Sequence, residues 1–213
     1  MKIKFHGHAC FSIEDKNIAW VTDPFQKSIV LSMPKLTATM VTESLDASEA
    51  HNAHELIGGT FKRFNWPGEY ETMGVHVKGV STFHNSKEEE SQLANVVFVA
   101  HLNGINVCHL GALGTKLSSE HLEKIGDIDV LMVPVGGKNC IDAKKAKEVV
   151  EQIEPRVVIP MMYDTEGSNQ GLAPVTPFLS EMGAQSAEHV DSFTFKKGDL
   201  PEDTTKVVVL NRI

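Results

Sequence analysis

The pattern of predicted secondary structure changes halfway along the chain, and this change limits the folds that the chain can adopt. The first half contains short apolar or alternating stretches bounded by turn residues, a pattern that predicts β-strands. We place these strands at residues 3–5, 10–14, 18–22, 39–42 and 75–80. Two further apolar runs, at 95–101 and 105–110, flank Asn103-Gly104. That dipeptide strongly favours a two-residue hairpin turn.

The second half alternates predicted helices with buried apolar strands. The helices are expected at 118–125, 142–154 and 177–182, and the strands at 130–135, 157–161 and 206–210. The 142–154 segment is amphipathic, with lysines and glutamates away from its apolar stripe of Ala143, Ala146, Val149, Val150 and Ile153. A short helix is also predicted at 50–58, closed by Gly58 and Gly59. The polar stretch 86–92 is expected to be an exposed loop.

A β-rich half followed by strand-helix-strand units predicts an α/β (α+β) protein with a four-layer αββα sandwich. In that arrangement two sheets face each other and helices lie outside. The chain has 213 residues and no linker or low-complexity segment. We therefore expect one domain over 1–213, with no room for a large inserted domain.

Composition excludes several classes of partner. The hydrophobic fraction of 41% and charged fraction of 23% are ordinary for a globular domain. A net charge of −8 argues against nucleic acid and against an anionic membrane surface. No run of about 18 apolar residues occurs, so no membrane span is predicted. The three widely spaced cysteines and the absence of a signal-peptide pattern favour the cytoplasm.

Short motifs follow one another in a fixed order along the chain. They are GHACF from Gly7, TDPF from Thr22, WPGEYE from Trp66, HLGALG from His109, VPVGG from Val133 and IPMMY from Ile159. Their order resembles the metallo-β-lactamase-fold hydrolases, specifically the small branch similar to ascorbate-phosphate lactonases. The resemblance runs from Gly7 to Tyr163 and implies the αββα fold and a metal-dependent hydrolytic site.

The resemblance implies a His-x-His-x-Asp-His loop after a buried strand, because closely spaced imidazoles and carboxylates hold Zn²⁺ while leaving a position for water. Here the loop 43–52 reads ESLDASEAHN. In one register the motif occupies 46–51, so that His51 survives and Ala50 replaces the aspartate. In the other register the ligand positions hold Leu45, Ala47, Glu49 and Ala50. Asn52 and Glu55 continue the family pattern and favour the first.

The ligands that the resemblance implies at later strand ends are also changed. The family's Gly-Asp reads Gly111-Ala112, and its Pro-Met-His-Tyr reads Pro160-Met161-Met162-Tyr163. His84 stands where a ligand histidine would be. Methyl, hydroxyl and thioether groups bind Zn²⁺ poorly, so we expect a degenerate site with no cofactor, or at most one zinc or other divalent ion. The metal candidates are His51, His84 and Asp46, and the pocket candidates are Asp46, Ser48, Glu49, Ala112, Met162 and Tyr163.

Other residues of these motifs have simpler interpretations. His8 is expected near the site in a structural role, and His109 is expected to be a core histidine bonded to the backbone. Glu69 and Tyr70 are expected to be turn and packing residues. The sequence contains no Gly-x-Ser-x-Gly elbow and no phosphate-binding loop, which argues against a serine hydrolase and a nucleotide-binding enzyme.

Two functional hypotheses follow. The first is a metallo-β-lactamase-like protein that has lost most metal ligands and binds a small molecule or a protein partner, alone or as an oligomer. The second is a single-metal-dependent hydrolase of a lactone, phosphoester or amide, with Glu49 as the base. Substrate contacts on variable loops leave that choice open.

Overall fold

The computed structural model describes residues 1–84, 93–138, 140–168 and 170–213, so the predicted loop 86–92 lies outside the described residues. Two β-sheets form its centre. In chain order the described strands are β1 (Lys2–Gly7), β2 (Cys10–Asp15), β3 (Ile18–Thr22), β4 (Met40–Thr42), β5 (Lys62–Phe64), β6 (Gly68–Thr72), β7 (Val75–Phe83), β8 (Ala94–Leu102), β9 (Ile105–His109), β10 (Val130–Pro134), β11 (Val157–Met161), β12 (Glu188–Val190), β13 (Phe193–Thr194) and β14 (Lys206–Leu210).

The two sheets have different pairing patterns. The first has the order β13-β1-β2-β3-β4-β5, and the second has the order β12-β14-β11-β10-β9-β8-β7-β6. Strands β6 to β9 pair antiparallel, whereas β9, β10, β11, β14 and β12 pair parallel. The turn between β8 and β9 is the predicted one, with positive φ at Asn103 (54°) and Gly104 (80°) as that turn type requires.

Three described helices follow β9 in the chain: α1 (Ser119–Ile125), α2 (Ala143–Ile153) and α3 (Thr176–Glu181). Ser118 caps α1 by accepting a hydrogen bond from the His121 amide, and Asp142 caps α2 in the same way through the Lys145 amide. Helix α2 packs against β10 and α3. None of the described helices has the length and apolar character needed to cross a membrane.

The main core lies between the sheets. From the first sheet, Phe5, Phe11, Trp20 and Met40 belong to the same buried cluster as residues of the second sheet. Since side chains alternate across a strand, the residues between them point to the other face. On that face Cys10, Val21 and Val41 of the strands belong to a second cluster. The other members of that cluster come from the connecting segments: Phe25, Ile29, Leu31, Ala38 and Ile57. The described cover on that outer face consists of loops and the short 3-10 turns Lys27–Ile29 and His54–Leu56.

The helix predicted at 50–58 is wrong, since the structure has only the 3-10 turn His54–Leu56 there. Backbone groups in and next to this segment bond to distant parts of the chain. The Ala53 amide donates to the Pro24 carbonyl at 2.8 Å, and the Glu49 carbonyl accepts from the Gln26 amide at 2.9 Å. These tertiary hydrogen bonds take the place of the i to i−4 bonds that a helix needs.

Backbone hydrogen bonds hold several strand ends at one edge of the sandwich. The Asp23 amide donates to Thr42, the Val96 amide donates to Ser44, and the Met162 amide donates to His8, each at 2.8 Å. These bonds join the end of β3 to that of β4, the loop after β4 to the start of β8, and the end of β11 to that of β1. The loops that carry most of the predicted site residues are therefore anchored to both sheets.

The cysteines are free thiols, with Cys10 and Cys108 buried and Cys140 half-buried. Burial raises the pKa of all three thiols, to about 12 for Cys140. The neutral thiol is therefore the form that persists at neutral pH, and these side chains act as small apolar groups.

Asn95 is a buried polar side chain that ties β8 to its neighbours. Its amide nitrogen donates to Thr82 Oγ1 at 2.8 Å and to the Leu110 carbonyl at 3.0 Å, and its Oδ1 accepts from the Ala112 amide at 2.8 Å. We predict that Asn95→Ala lowers the free energy of unfolding by about 2–3 kcal/mol, because buried partners lose their hydrogen bonds. Urea denaturation measures this change.

The matched control is Asn211→Ala, which removes an exposed amide that bonds Asp191. We expect that control to change the free energy of unfolding by no more than about 0.5 kcal/mol. Equal effects of the two substitutions would contradict the role given to Asn95.

Candidate functional site

Asp23 forms the centre of the site at the point where β3 ends. Its side chain is fully buried. The carboxylate accepts hydrogen bonds from the Ser44 amide (2.7 Å), from Ser44 Oγ (2.5 Å) and from His51 Nδ1 (2.8 Å). Burial raises the pKa of Asp23 to about 6, while the Ser44 hydrogen bonds act in the opposite direction. Asp23 therefore carries its negative charge at neutral pH.

His51 lies between Asp23 and a second histidine. Its Nδ1 bonds Asp23, and its Nε2 is 3.2 Å from His8 Nε2. Burial lowers the pKa of His51 to about 3, so the ring is neutral at neutral pH. Because an ionised carboxylate can only accept, the single ring proton sits on Nδ1. The Nε2 of His51 therefore presents a lone pair toward His8.

His8 follows β1 in the tight connection to β2, with a positive φ of 54°. Its side chain is buried, and its carbonyl accepts from the Met162 amide. Burial, together with nearby His51 and His84, lowers the pKa of His8 well below its usual value. His8 thus contributes a neutral ring in direct contact with His51, a closer role than sequence reasoning gave it.

His84 completes the group at the end of β7. Its Nδ1 lies 2.8 Å from the Ala112 carbonyl oxygen. A carbonyl can only accept, so Nδ1 carries a proton and donates it to Ala112. The ring is half-buried, and it lies near enough to His8 and His51 to disfavour a positive charge on either. We call His8, His51 and His84 the histidine cluster.

His109 borders the cluster from β9. Its Nε2 lies 2.9 Å from the Ala9 carbonyl, which confirms the prediction of a core histidine bonded to the backbone. Its Nδ1 is buried and has no hydrogen-bond partner among the described residues. Burial lowers the pKa of His109, although the charge of Asp23 works in the opposite direction.

The structure does not bring Asp46 into this cluster. Its side chain is 51% exposed and accepts from Arg63 Nη2 at 2.6 Å and from Asn65 Nδ2 at 2.9 Å. Arg63 also bonds the buried carboxylate of Glu43. An arginine on β5 therefore holds Asp46 away from His51 and His84. In the same loop, Glu49 is exposed and Ser48 is half-buried.

Two of the remaining pocket candidates, Ala112 and Met162, contact the cluster through backbone atoms. Ala112 is fully buried and accepts from His84, while Met162 is buried and donates its amide to His8. Tyr163 is buried and donates its hydroxyl to the Leu210 carbonyl at 3.1 Å. Burial raises the pKa of Tyr163 to about 12, so the phenol stays protonated. Ala112 and Met162 therefore meet the histidines with backbone atoms, while their methyl and thioether side chains are buried.

These residues do not fit a two-metal centre. Among the side chains that the structure describes, no three His, Cys, Asp or Glu groups are arranged to hold a metal ion. Ala112 has no donor atom in its side chain, and the thioether of Met162 is a poor ligand for Zn²⁺. The cluster offers imidazoles, with its one buried carboxylate already bonded to Ser44 and His51.

Comparison with known proteins places the chain in a family. Residues 2–162 match the family described as the beta-lactamase superfamily domain, which covers most of the chain. The chain therefore belongs to the metallo-β-lactamase superfamily, and the predicted resemblance to that superfamily is confirmed. Its mixed α/β architecture with two sheets agrees with this assignment.

Individual relatives agree with it. A Thermotoga maritima protein assigned to the Zn-dependent hydrolases of this superfamily is 41% identical, with a TM-score of 0.82 over 98% of this chain and 97% of that one. A metal-dependent hydrolase of Carboxydothermus hydrogenoformans is 26% identical, covering 78% of this chain and 85% of that protein. One from Thermoplasma acidophilum is 28% identical, covering 78% and 84%.

Sequence reasoning missed the part that Asp23 and Ser44 play. Asp23 stands in the TDPF motif, directly after a buried strand, and this position was the available signal. A carboxylate at a strand end often positions other side chains of a functional site. Ser44 gave no signal, because its role depends on a loop from β4 folding back over Asp23.

The buried histidines make stability depend on pH. The folded pKa is about 4 for His6 and about 3 for His51, and it is lowered for His8 and His109. Below pH 6.5 the unfolded chain therefore takes up more protons than the folded chain. The stability that the neutral histidines give the folded chain is present above pH 6.5 and is lost as pH falls. His6 and His51, whose folded pKa values lie two or more units below 6.5, each cost about 1.4 kcal/mol at one unit below 6.5.

Asp23 acts with the opposite sign, because its folded pKa of about 6 lies above its usual value. Below pH 6 the folded chain binds that proton and gains stability, which offsets part of the loss. His6 and His51 alone lose more than Asp23 returns, and His8 and His109 add to that loss, so we predict a net loss of about 2 kcal/mol or more from pH 7.5 to 5.5. Urea midpoints at both pH values measure it, and His6→Gln should reduce the loss. An unchanged or higher midpoint at pH 5.5 would contradict this prediction.

Proposed function

We propose that this chain is a divergent member of its superfamily that does not hydrolyse substrates with a two-metal centre. Its pocket instead binds a small molecule or a protein partner and holds at most one metal ion. The observation that carries the proposal is the placement of Ala112 and Met162. Both residues are buried and meet the histidine cluster through backbone atoms, the Ala112 carbonyl with His84 and the Met162 amide with the His8 carbonyl. Neither side chain can supply the carboxylate or imidazole that a second ion would need.

The backbone around the cluster supports a site that is still in use. His8, Asp23 and Met162 all have positive φ values, of 54°, 38° and 50°. Left-handed backbone costs on the order of 1–3 kcal/mol for such residues and tends to be kept where it serves a site. A pocket with no ligand to bind would have little reason to keep three such residues together.

The setting of this function is also proposed. A net charge of −8 favours partners other than nucleic acid or an anionic membrane surface. The free thiols favour the cytoplasm. The core that joins both sheets supports one domain over 1–213. An oligomer of this chain is compatible with all of these features.

Metal content tests the main proposal. We expect the protein, purified without chelator, to hold fewer than two ions per chain by inductively coupled plasma mass spectrometry. It should not hydrolyse lactone, phosphodiester or amide substrates. The double substitution Ala112→Asp with Met162→His should raise the metal content by about one ion per chain, because it supplies a carboxylate and an imidazole.

The matched control is Ala112→Asn with Met162→Leu, which has similar side-chain volumes and no added ligand for zinc. We expect this control to leave the metal content unchanged. About two ions per chain in the natural protein, with turnover that a chelator abolishes, would overturn the proposal.

A single-metal hydrolase is the second candidate. The observation in its favour is that His51 and His84 each have Nδ1 held by an oxygen acceptor. Each Nε2 therefore points away from that acceptor, and the Nε2 of His51 meets His8 Nε2 at 3.2 Å. Metal-binding histidines have this second hydrogen bond in most proteins. The relatives named metal-dependent hydrolases support it as well. Bound there, an ion would supply polarisation of the substrate and an activated water.

The second candidate predicts metal-stimulated turnover that His84→Ala abolishes. Loss of one imidazole removes a ligand, so added zinc should also no longer raise the melting temperature. The control His101→Ala removes an exposed histidine whose ring bonds Asn106, and it should keep both effects. Turnover that persists in His84→Ala would exclude this candidate.

A further inference from the structure

We propose that the free edge of the second sheet, at β6, is a docking site for an extended, basic segment of a protein partner. The segment adds a strand beside β6, with lysine or arginine side chains next to Glu69 and Glu71 and an apolar residue between them. The inference goes beyond the proposed function, since it uses no residue of the histidine cluster.

Strand β6 (Gly68–Thr72) ends the second sheet and pairs on one side, with β7. On its other side, one row of backbone N–H and C=O groups has no partner strand among the described residues. An extended peptide can use such a row for its main-chain hydrogen bonds, and the side chains of alternate residues then set the specificity.

The side chains of β6 alternate between the two faces of the sheet. Tyr70 packs against the main core, and its ring stacks on Phe64 with the ring centroids 4.5 Å apart. Glu69 and Glu71 point to the opposite face and are exposed. A strand beside β6 therefore meets two carboxylates on one face and an apolar surface on the other, and a basic-apolar-basic segment complements both.

The two carboxylates have little compensation within the chain. Lys78 lies opposite Glu69 on β7, but its ammonium group donates to the Lys124 carbonyl at 2.9 Å. Glu71 lies beside the exposed ring of His76, with 4.0 Å between Oε2 and Nε2. Among the described residues, neither glutamate forms an ion pair with a lysine or an arginine. Basic side chains of a partner supply the missing countercharges, and the net charge of −8 favours such partners.

An exposed indole stands just before β6. Trp66 is 68% exposed, although its backbone is fixed, because its carbonyl accepts from the Tyr70 hydroxyl at 2.8 Å. The same carbonyl lies so close to β7 that a Cβ on Gly79 would be 2.7 Å from its oxygen. Exposed aromatic side chains in fixed positions are common anchors of protein interfaces, and the face of an indole attracts lysine and arginine.

A second exposed apolar side chain stands at the other end of β6. Met73 is 53% exposed and has a positive φ of 52° in the turn to β7. That conformation favours glycine, asparagine or aspartate, and the exposed thioether gains little burial within the fold. The simpler explanation is that Glu69 and Glu71 only protect the edge from aggregation. Exposed apolar groups at both ends argue against it.

The same charges argue against a second copy of this chain as the occupant. In a symmetric antiparallel pair centred on Tyr70, Glu69 of each copy would lie opposite Glu71 of the other. Like charges that lie directly opposite each other destabilise paired strands. A basic segment of another protein is therefore the occupant that this edge favours.

Binding of a synthetic peptide to the full chain tests the inference. The probe is a fluorescein-labelled peptide of alternating lysine and valine, and fluorescence anisotropy measures its binding. We expect saturable binding that Glu69→Lys with Glu71→Lys weakens by about tenfold, because two attractive cross-strand pairs become repulsive. The matched control, Glu181→Lys with Glu202→Lys, changes the net charge equally at two exposed glutamates elsewhere. It should weaken binding by no more than about twofold.

Two further measurements test strand pairing at this edge. The N–H groups of alternate residues in a strand point to opposite edges, so a peptide N-methylated at its lysines and one N-methylated at its valines should differ. One of them should bind about tenfold more weakly than the other. Trp66 is exposed while Trp20 is fully buried, so the unlabelled peptide should also protect the indole fluorescence from quenching by acrylamide.

Several results would overturn the inference: no binding by the natural chain, wild-type affinity in the Glu69→Lys, Glu71→Lys protein, or an equal loss in the matched control. Equal affinities of the two methylated peptides, or quenching that the peptide leaves unchanged, would also overturn it. If the double variant fails to fold by circular dichroism, Trp66→Ala takes its place and should weaken binding by about threefold or more. Metal content and turnover test the functions proposed above separately.

Discussion

The buried carboxylate of Asp23 is the interaction on which the rest of the site depends. It is out of contact with water, and three donors from two residues of the loop between β4 and β5, Ser44 and His51, compensate it. The two Ser44 donors fix the loop after β4, and the bond from His51 keeps the proton of that ring on Nδ1. An unpaired charge at this depth would cost several kcal/mol, so the loop between β4 and β5 must close over it for the protein to fold.

Local patterns were sufficient for much of the fold. The Asn103-Gly104 hairpin and the amphipathic stripe of α2 are confirmed because turn chemistry and helix periodicity act over a few residues. Strands β5 and β6 were not predicted, and Glu69 and Tyr70 lie in β6 rather than in a turn. Lys62 and Arg63 give β5 no alternating pattern, and only its pairing with β4 makes it a strand. Tertiary contacts decide such elements, as they decided against the helix at 50–58.

The residues of the site also divide into those that the sequence predicts and those that only tertiary contacts determine. His51 and His84 were found through the family resemblance, and the structure brings them together with His8. The direction of the Asp46 side chain could not be read from its loop, because Arg63 on β5 determines it. Proton positions were equally hidden. They follow from which acceptor meets each Nδ1, and those acceptors, Asp23 and the Ala112 carbonyl, are distant in sequence.

The buried cysteines give the molecule a property of practical use. A thiol reacts as the thiolate and only where a reagent can reach it. Cys10 sits under the outer cover of the first sheet and Cys108 lies in the main core. Each thiol fails to react with alkylating reagents as long as the hydrophobic layer that covers it stays closed. The chain thus carries two built-in reporters of opening, one for each hydrophobic layer, and their labelling rates distinguish loosening of the loop cover from separation of the sheets.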